Sequence, residues 1–169
     1  MKALFLVEDG FEDLHFFCPY YRLQEEGIRV TVASPATHPL TGSHGYKVEP
    51  DMPIQELNPA EYDLLIVPGG SSPEKLRQRE QAVDVTRTFM EEGRFIAMIG
   101  HAAQLLISAG AIDGRSLTCA PGIRDDVRSA GGVYRDDGVV VDGTLISSRH
   151  SEDLPRFCQQ IIASLGARA

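Results

Sequence analysis

The chain has 169 residues and a net charge of −8, with 43% hydrophobic and 24% charged residues. That length suits one compact domain, 1–169, with a sizeable core. The acidic balance and the absence of a basic run exclude the usual nucleic-acid partner, because neutralising phosphates takes clustered Lys and Arg. No apolar stretch is long enough for a membrane span. Met1 to Val7 meets an acidic loop and reads as a first strand, not a signal peptide. Cys18, Cys119 and Cys158 are odd in number and widely spaced, which fits reduced thiols in a cytoplasmic protein and shows no metal-ligand spacing.

In chain order, Leu4 to Val7 is an unbroken apolar run, expected of a central parallel strand. A polar turn, Glu8 to Asp13, leads into a helix from about Glu12 to Glu26 that Gly27 stops. Arg29 to Ala33 is a second strand, completing a βαβ unit. Leu40 and Tyr46–Val48 form a short hairpin across Thr41–Gly45. Pro53 to Tyr62 is a connector, and Asp63 to Val67 is another buried strand running into Pro68-Gly69-Gly70-Ser71-Ser72. Pro73 to Gly93 reads as helix with a break near Arg79-Glu80. Phe95 to Ile99 is a strand that turns at Gly100-His101 into a helix carrying Leu105, Leu106 and Ala109. Ser116 to Cys119 is a strand, and Pro121 to Gly131 a helix. Val133-Tyr134 is a strand, and Val139 to Ser147 a hairpin turning at Asp142-Gly143. Leu154, Phe157, Cys158, Ile161, Ile162 and Leu165 make one apolar stripe on a closing helix, Glu152 to Leu165. Strands alternating with helices argue for a doubly wound α/β sandwich.

In such folds the site forms beyond the carboxyl ends of the strands. This brings Glu12, His15, Glu74, His101 and His150 towards one neighbourhood, with backbone N–H groups from Gly69, Gly70 and Ala102 available to an anion or oxyanion. The strand-to-helix turn at position 100 is where a nucleophile is expected. The residue there is glycine.

Met1–Leu6, Phe11-Glu12-Asp13, Pro19-Tyr20, Glu25-Glu26-Gly27, Val67–Gly70, Pro73-Glu74, Gln104–Gly110, Gly122–Asp126, Val139–Gly143 and Ser147–His150 together resemble the intracellular protease I (PfpI) branch of the ThiJ/PfpI superfamily. The resemblance runs nearly the whole length. It implies a flavodoxin-like sandwich, a mostly parallel central sheet with helices on both faces. It further implies a homo-oligomer, a dimer or larger, with Glu74 reaching a neighbouring subunit's site. Peptidase, deglycase and glyoxalase-like activities with stress protection are attributed to the superfamily. Its members carry Ala-Ile-Cys-His-Gly-Pro at the elbow, and a glutamate three residues after the one matching Glu12 contacts the thiol. Here the cysteine is Gly100, the residues after His101 are Ala102 and Ala103, and the thiol-contacting glutamate is His15.

Thiolate chemistry at position 100 is therefore impossible. Gly100 is expected to hold the elbow turn at positive φ, where glycine carries no steric penalty. Four readings stand. The first is a retained pocket for a small polar or anionic ligand, without cysteine chemistry and without a cofactor. The second is a cysteine-independent hydrolase or lyase using His101, His15 and Glu12. The third is a metal set of His15, His101 and Glu12, weighed against histidines hydrogen-bonded to glutamates. The fourth is a non-catalytic oligomeric interaction protein.

Overall fold

The computed structural model describes residues 1–167, so the last two positions of the expected 1–169 domain lie outside the described residues. The chain runs β1 (Lys2–Leu6), α1 (Asp13–Glu25), β2 (Arg29–Ser34), β3 (Leu40–Thr41), β4 (Lys47–Val48), β5 (Met52–Pro53) and β6 (Leu64–Val67). Then come α2 (Ser72–Leu76), α3 (Glu80–Glu91), β7 (Phe95–Ile99), α4 (Ala103–Ser108), β8 (Ser116–Leu117) and α5 (Arg124–Ser129). It closes with β9 (Val133–Tyr134), β10 (Val139–Asp142), β11 (Leu145–Ser148) and α6 (Leu154–Gly166). The main sheet has seven strands in the order β10-β11-β7-β6-β1-β2-β5. Every neighbouring pair in it is parallel except β10 with β11.

Strand periodicity sorts the core into two layers, because successive side chains point to opposite faces. Leu4, Leu6, Leu65, Val67, Ile96 and Met98 pack on one face with Val85 and Phe89 of α3 and Leu105 and Leu106 of α4. Ala3, Phe5, Leu64, Ile66, Ala97 and Ile99 pack on the other with Phe16 and Leu23 of α1 and Phe157 and Ile161 of α6. Burial on both faces explains why these strands are written as continuous apolar runs. No helix among the described residues is long and apolar enough to cross a membrane.

Some expectations shift at the margins. Met52–Pro53, at the start of the expected connector, pairs with β2 as an edge strand, a position where proline's missing N–H is tolerated. The strand expected over Ser116–Cys119 keeps only Ser116–Leu117, paired with β9 in a separate two-stranded sheet. Asp142 pairs with Leu145, so the hairpin turns one residue later than expected, at Gly143-Thr144. Short 3-10 turns precede α4, α5 and α6.

Candidate active site at the elbow

The strands β1, β6, β7 and β11 run the same way, so their carboxyl ends share one edge of the sheet. Val67 is level with Met98, and Ser148 with Ile99. Two loops are stitched together there. Glu12 N–H donates to the Gly69 carbonyl at 3.0 Å, and Ser71 N–H to the Gly10 carbonyl at 2.9 Å. The close approach requires glycine at position 70, where φ is +84° and a Cβ would lie 2.6 Å from the Glu12 nitrogen.

At the end of β7 the chain leaves extended Ile99 and enters a 3-10 turn, Gly100–Ala102, before α4. Gly100 has φ +65°, the left-handed conformation expected of it. Its carbonyl accepts the Ala120 N–H at 3.1 Å, which pins the turn. A Cβ added to Gly100 would stand 3.4 Å from the Arg149 carbonyl oxygen and 3.4 Å from His15 Cε1, ordinary contact distances.

His15 is the centre of the site. It projects from the first turn of α1 and is 5% exposed. Its Nε2 lies 3.1 Å from Ser151 Oγ and 3.6 Å from Glu12 Oε2. Its Nδ1 is buried without a hydrogen-bond partner and rests against Gly69, where a Cβ would be only 2.6 Å away. Burial pushes the His15 pKa down to about 4; the Glu12 charge opposes this, while His101 and His150 reinforce it. The imidazole is therefore neutral near pH 7. Glu12 also caps α1, its Oε2 accepting the His15 N–H at 3.0 Å.

The expected residues thus divide. Glu12, His15, Gly69, Gly70 and Gly100 meet directly. His101 is exposed on the turn, Ala102 is buried behind it, and His150 sits 3.4 Å from Asp153 Oδ2; both histidines are felt by His15 electrostatically. Glu74 lies exposed on α2, where its carbonyl accepts from Gln78 Nε2. Of the expected metal set of His15, His101 and Glu12, His15 Nε2 and Glu12 Oε2 stand 3.6 Å apart and His101 is exposed on the turn. Three ligand atoms converge among the described residues at Glu12, Asp13 and His44, while the His15 nitrogens face Ser151 and Gly69. Ser151, Asp13 and His44 were not expected as site residues; Ser151 at least lies in the segment that follows β11.

All three thiols are shifted away from the thiolate form. Burial pushes Cys119 up to about 12 and Cys158 up to about 11, and exposed Cys18 is raised by partial burial and by Glu12. A reactive thiol needs the opposite shift.

Known proteins share this architecture. The model of the DJ-1/PfpI family matches residues 1–164. Deglycase PfpI of Pyrococcus furiosus is 46% identical over 165 residues, covering 98% of this chain and 99% of that one. A two-domain protein of Anabaena variabilis, with DJ-1/ThiJ/PfpI-like and ferritin-like domains, is 32% identical with a TM-score of 0.96. That match covers 98% of this chain and 50% of the longer one. Drosophila melanogaster DJ-1beta is 28% identical with a TM-score of 0.89, covering 95% of this chain and 87% of that one. A mostly parallel sheet with helices on both faces defines the class as a flavodoxin-like α/β protein. Within that class, the chain belongs to the DJ-1/PfpI family.

Proposed function

We propose that this family member does not run thiolate chemistry, and that its elbow instead presents a mouth for a small polar or anionic molecule. His101, His150 and Glu12 line that mouth, together with the backbone N–H of Gly70; Ala102 is fully buried and does not face it. The observation that carries the reading is the contact between His15 and Gly100. Glycine stands where the family resemblance implies a nucleophile, and a neutral imidazole stands against the place a side chain there would occupy. Because α4 spans only six residues, its dipole is weak support for an anion, and the side chains carry most of the recognition. A conjugate acid of pKa about 4 is poorly matched to general-base work near neutral pH, so His15 serves the site as a fixed wall. The exposure of Glu74 supports a role at the surface of a homo-oligomer.

The deglycase named among the relatives supplies the assay. Wild type is expected to leave a glyoxal-modified amino acid unchanged, and phosphate or acetate to shift the His101 and His150 resonances. Gly100→Cys alone gives a thiol without its carboxylate neighbour, whereas Gly100→Cys with His15→Glu is expected to give a thiol that alkylates at neutral pH. Turnover by wild type would overturn the proposal.

A further inference from the structure

Glu12 turns its two oxygens to different partners. Oε2 serves the helix cap and His15, while Oε1 lies 3.3 Å from His44 Nδ1. Asp13 follows, with its side chain only 4% exposed. Its Oδ1 accepts the Tyr46 N–H at 3.0 Å. Its Oδ2 accepts the His44 N–H at 2.8 Å and stands 3.4 Å from His44 Nδ1. Glu12, Asp13 and His44 each direct one ligand atom to this spot, and the three atoms lie within 4.8 Å of one another.

No single short hydrogen bond describes this arrangement. One imidazole N–H points in one direction, yet Nδ1 stands almost equally far from oxygens of two residues. By contrast, His38 Nε2 meets Asp9 Oδ2 in a hydrogen bond of 2.7 Å. Separations of 3.3 and 3.4 Å equal the edge of a tetrahedron whose centre-to-vertex bonds are about 2.0–2.1 Å, the range of zinc to nitrogen and oxygen. Charge points the same way. The ion-pair partners of Glu12 and Asp13 among the described residues are histidines, with no lysine or arginine. Two adjacent carboxylates, one nearly buried, therefore lack a permanent counter-charge. The outer shell is already built. Main-chain N–H groups of His15, His44 and Tyr46 hold the carboxylates in place, the orienting arrangement that ligating groups need. The bond from Gly42 N–H to the Tyr46 carbonyl, 2.8 Å, and Gly45 at φ +92° fold the loop so that residue 44 returns to Asp13.

We infer that Glu12, Asp13 and His44 bind a divalent first-row cation, zinc by ligand type, with coordination left open towards solvent beside the exposed His44. This site is separate from the elbow mouth but shares Glu12 with it.

The test is calorimetric titration of the EDTA-treated full chain with zinc chloride, together with X-ray absorption of the zinc-loaded wild type. His44→Ala removes an exposed side chain, and Glu12→Gln keeps a cap acceptor, so both are expected to fold. Wild type should take a single equivalent through nitrogen and oxygen ligands, and each substitution should weaken binding by at least about tenfold. His38→Ala should leave it unchanged. Absence of binding at micromolar zinc, a smaller loss in either variant, or sulfur in the first coordination shell overturns the inference.

Discussion

His15 Cε1 lies 3.4 Å from the point where a Cβ on Gly100 would stand. The His15 ring thus fills the space directly in front of Gly100, which itself carries no side chain. On the proposed reading, Gly100→Cys and His15→Glu act on one contact, so they are expected to recover a reactive thiol only in combination.

Alanine at the two left-handed glycines separates backbone strain from collision. In Gly100→Ala the new Cβ meets its neighbours at 3.4 Å, so the penalty is the left-handed conformation alone, about 1–2 kcal/mol. Gly70→Ala adds a Cβ 2.6 Å from the Glu12 nitrogen and closer still to the Gly10 carbonyl, both backbone atoms. It should cost distinctly more. Urea denaturation of both variants measures this, and equal losses would refute the distinction.

Acid stability should report His15. In the unfolded chain an ordinary histidine takes its proton near pH 6.5, whereas the folded side chain resists until about 4. The unfolded state therefore binds more protons between those values, and stability falls as pH drops through that window. The total is about 3 kcal/mol for a shift of this size. Chemical denaturation from pH 7 to pH 4 should show the slope in wild type in EDTA. The slope should be weaker in His15→Leu.

Thiol labelling distinguishes the cysteines without any mutation. Cys18 is exposed, while Cys119 and Cys158 are buried and their thiols raised to about 12 and about 11. A disulfide reagent at neutral pH should modify Cys18 slowly and reach the other two only on unfolding. A rapidly reacting thiol in the native protein would contradict the account of a site without a nucleophile.

Ser151→Ala should loosen His15 with no change in backbone. It removes the 3.1 Å contact to Nε2 and leaves Glu12 at 3.6 Å. The expected loss is about 1 kcal/mol. A double-mutant cycle with His15→Leu should recover most of it as coupling. Strict additivity would mean that the contact contributes nothing.

Burial decides which of these features are legible in the amino-acid order. Leu64–Val67 and Phe95–Ile99 are covered on both faces, so each appears as an uninterrupted apolar run, and their alternation with helices specifies the class of fold. The meeting of Glu12, His15 and Gly100 follows once those strands are parallel. Edge features lack such a signature. Met52–Pro53 is a two-residue strand ending in proline, and Ser116–Leu117 pairs outside the main sheet. His44 sits in a glycine-rich hairpin whose composition indicates a turn but not a return to Asp13. The partnership of His15 with Ser151 spans 136 residues, and no local pattern encodes so distant a contact.

That span has a consequence for how the elbow matures. In a chain emerging amino-terminus first, the residues of the Gly100 turn, α4 and both glycine loops are synthesised well before residue 151. His15 is already present but lacks its hydroxyl partner until the segment between β11 and α6 docks. The hydroxyl contact to His15 thus becomes available only when nearly the whole chain has been synthesised, although most residues of the elbow are synthesised early.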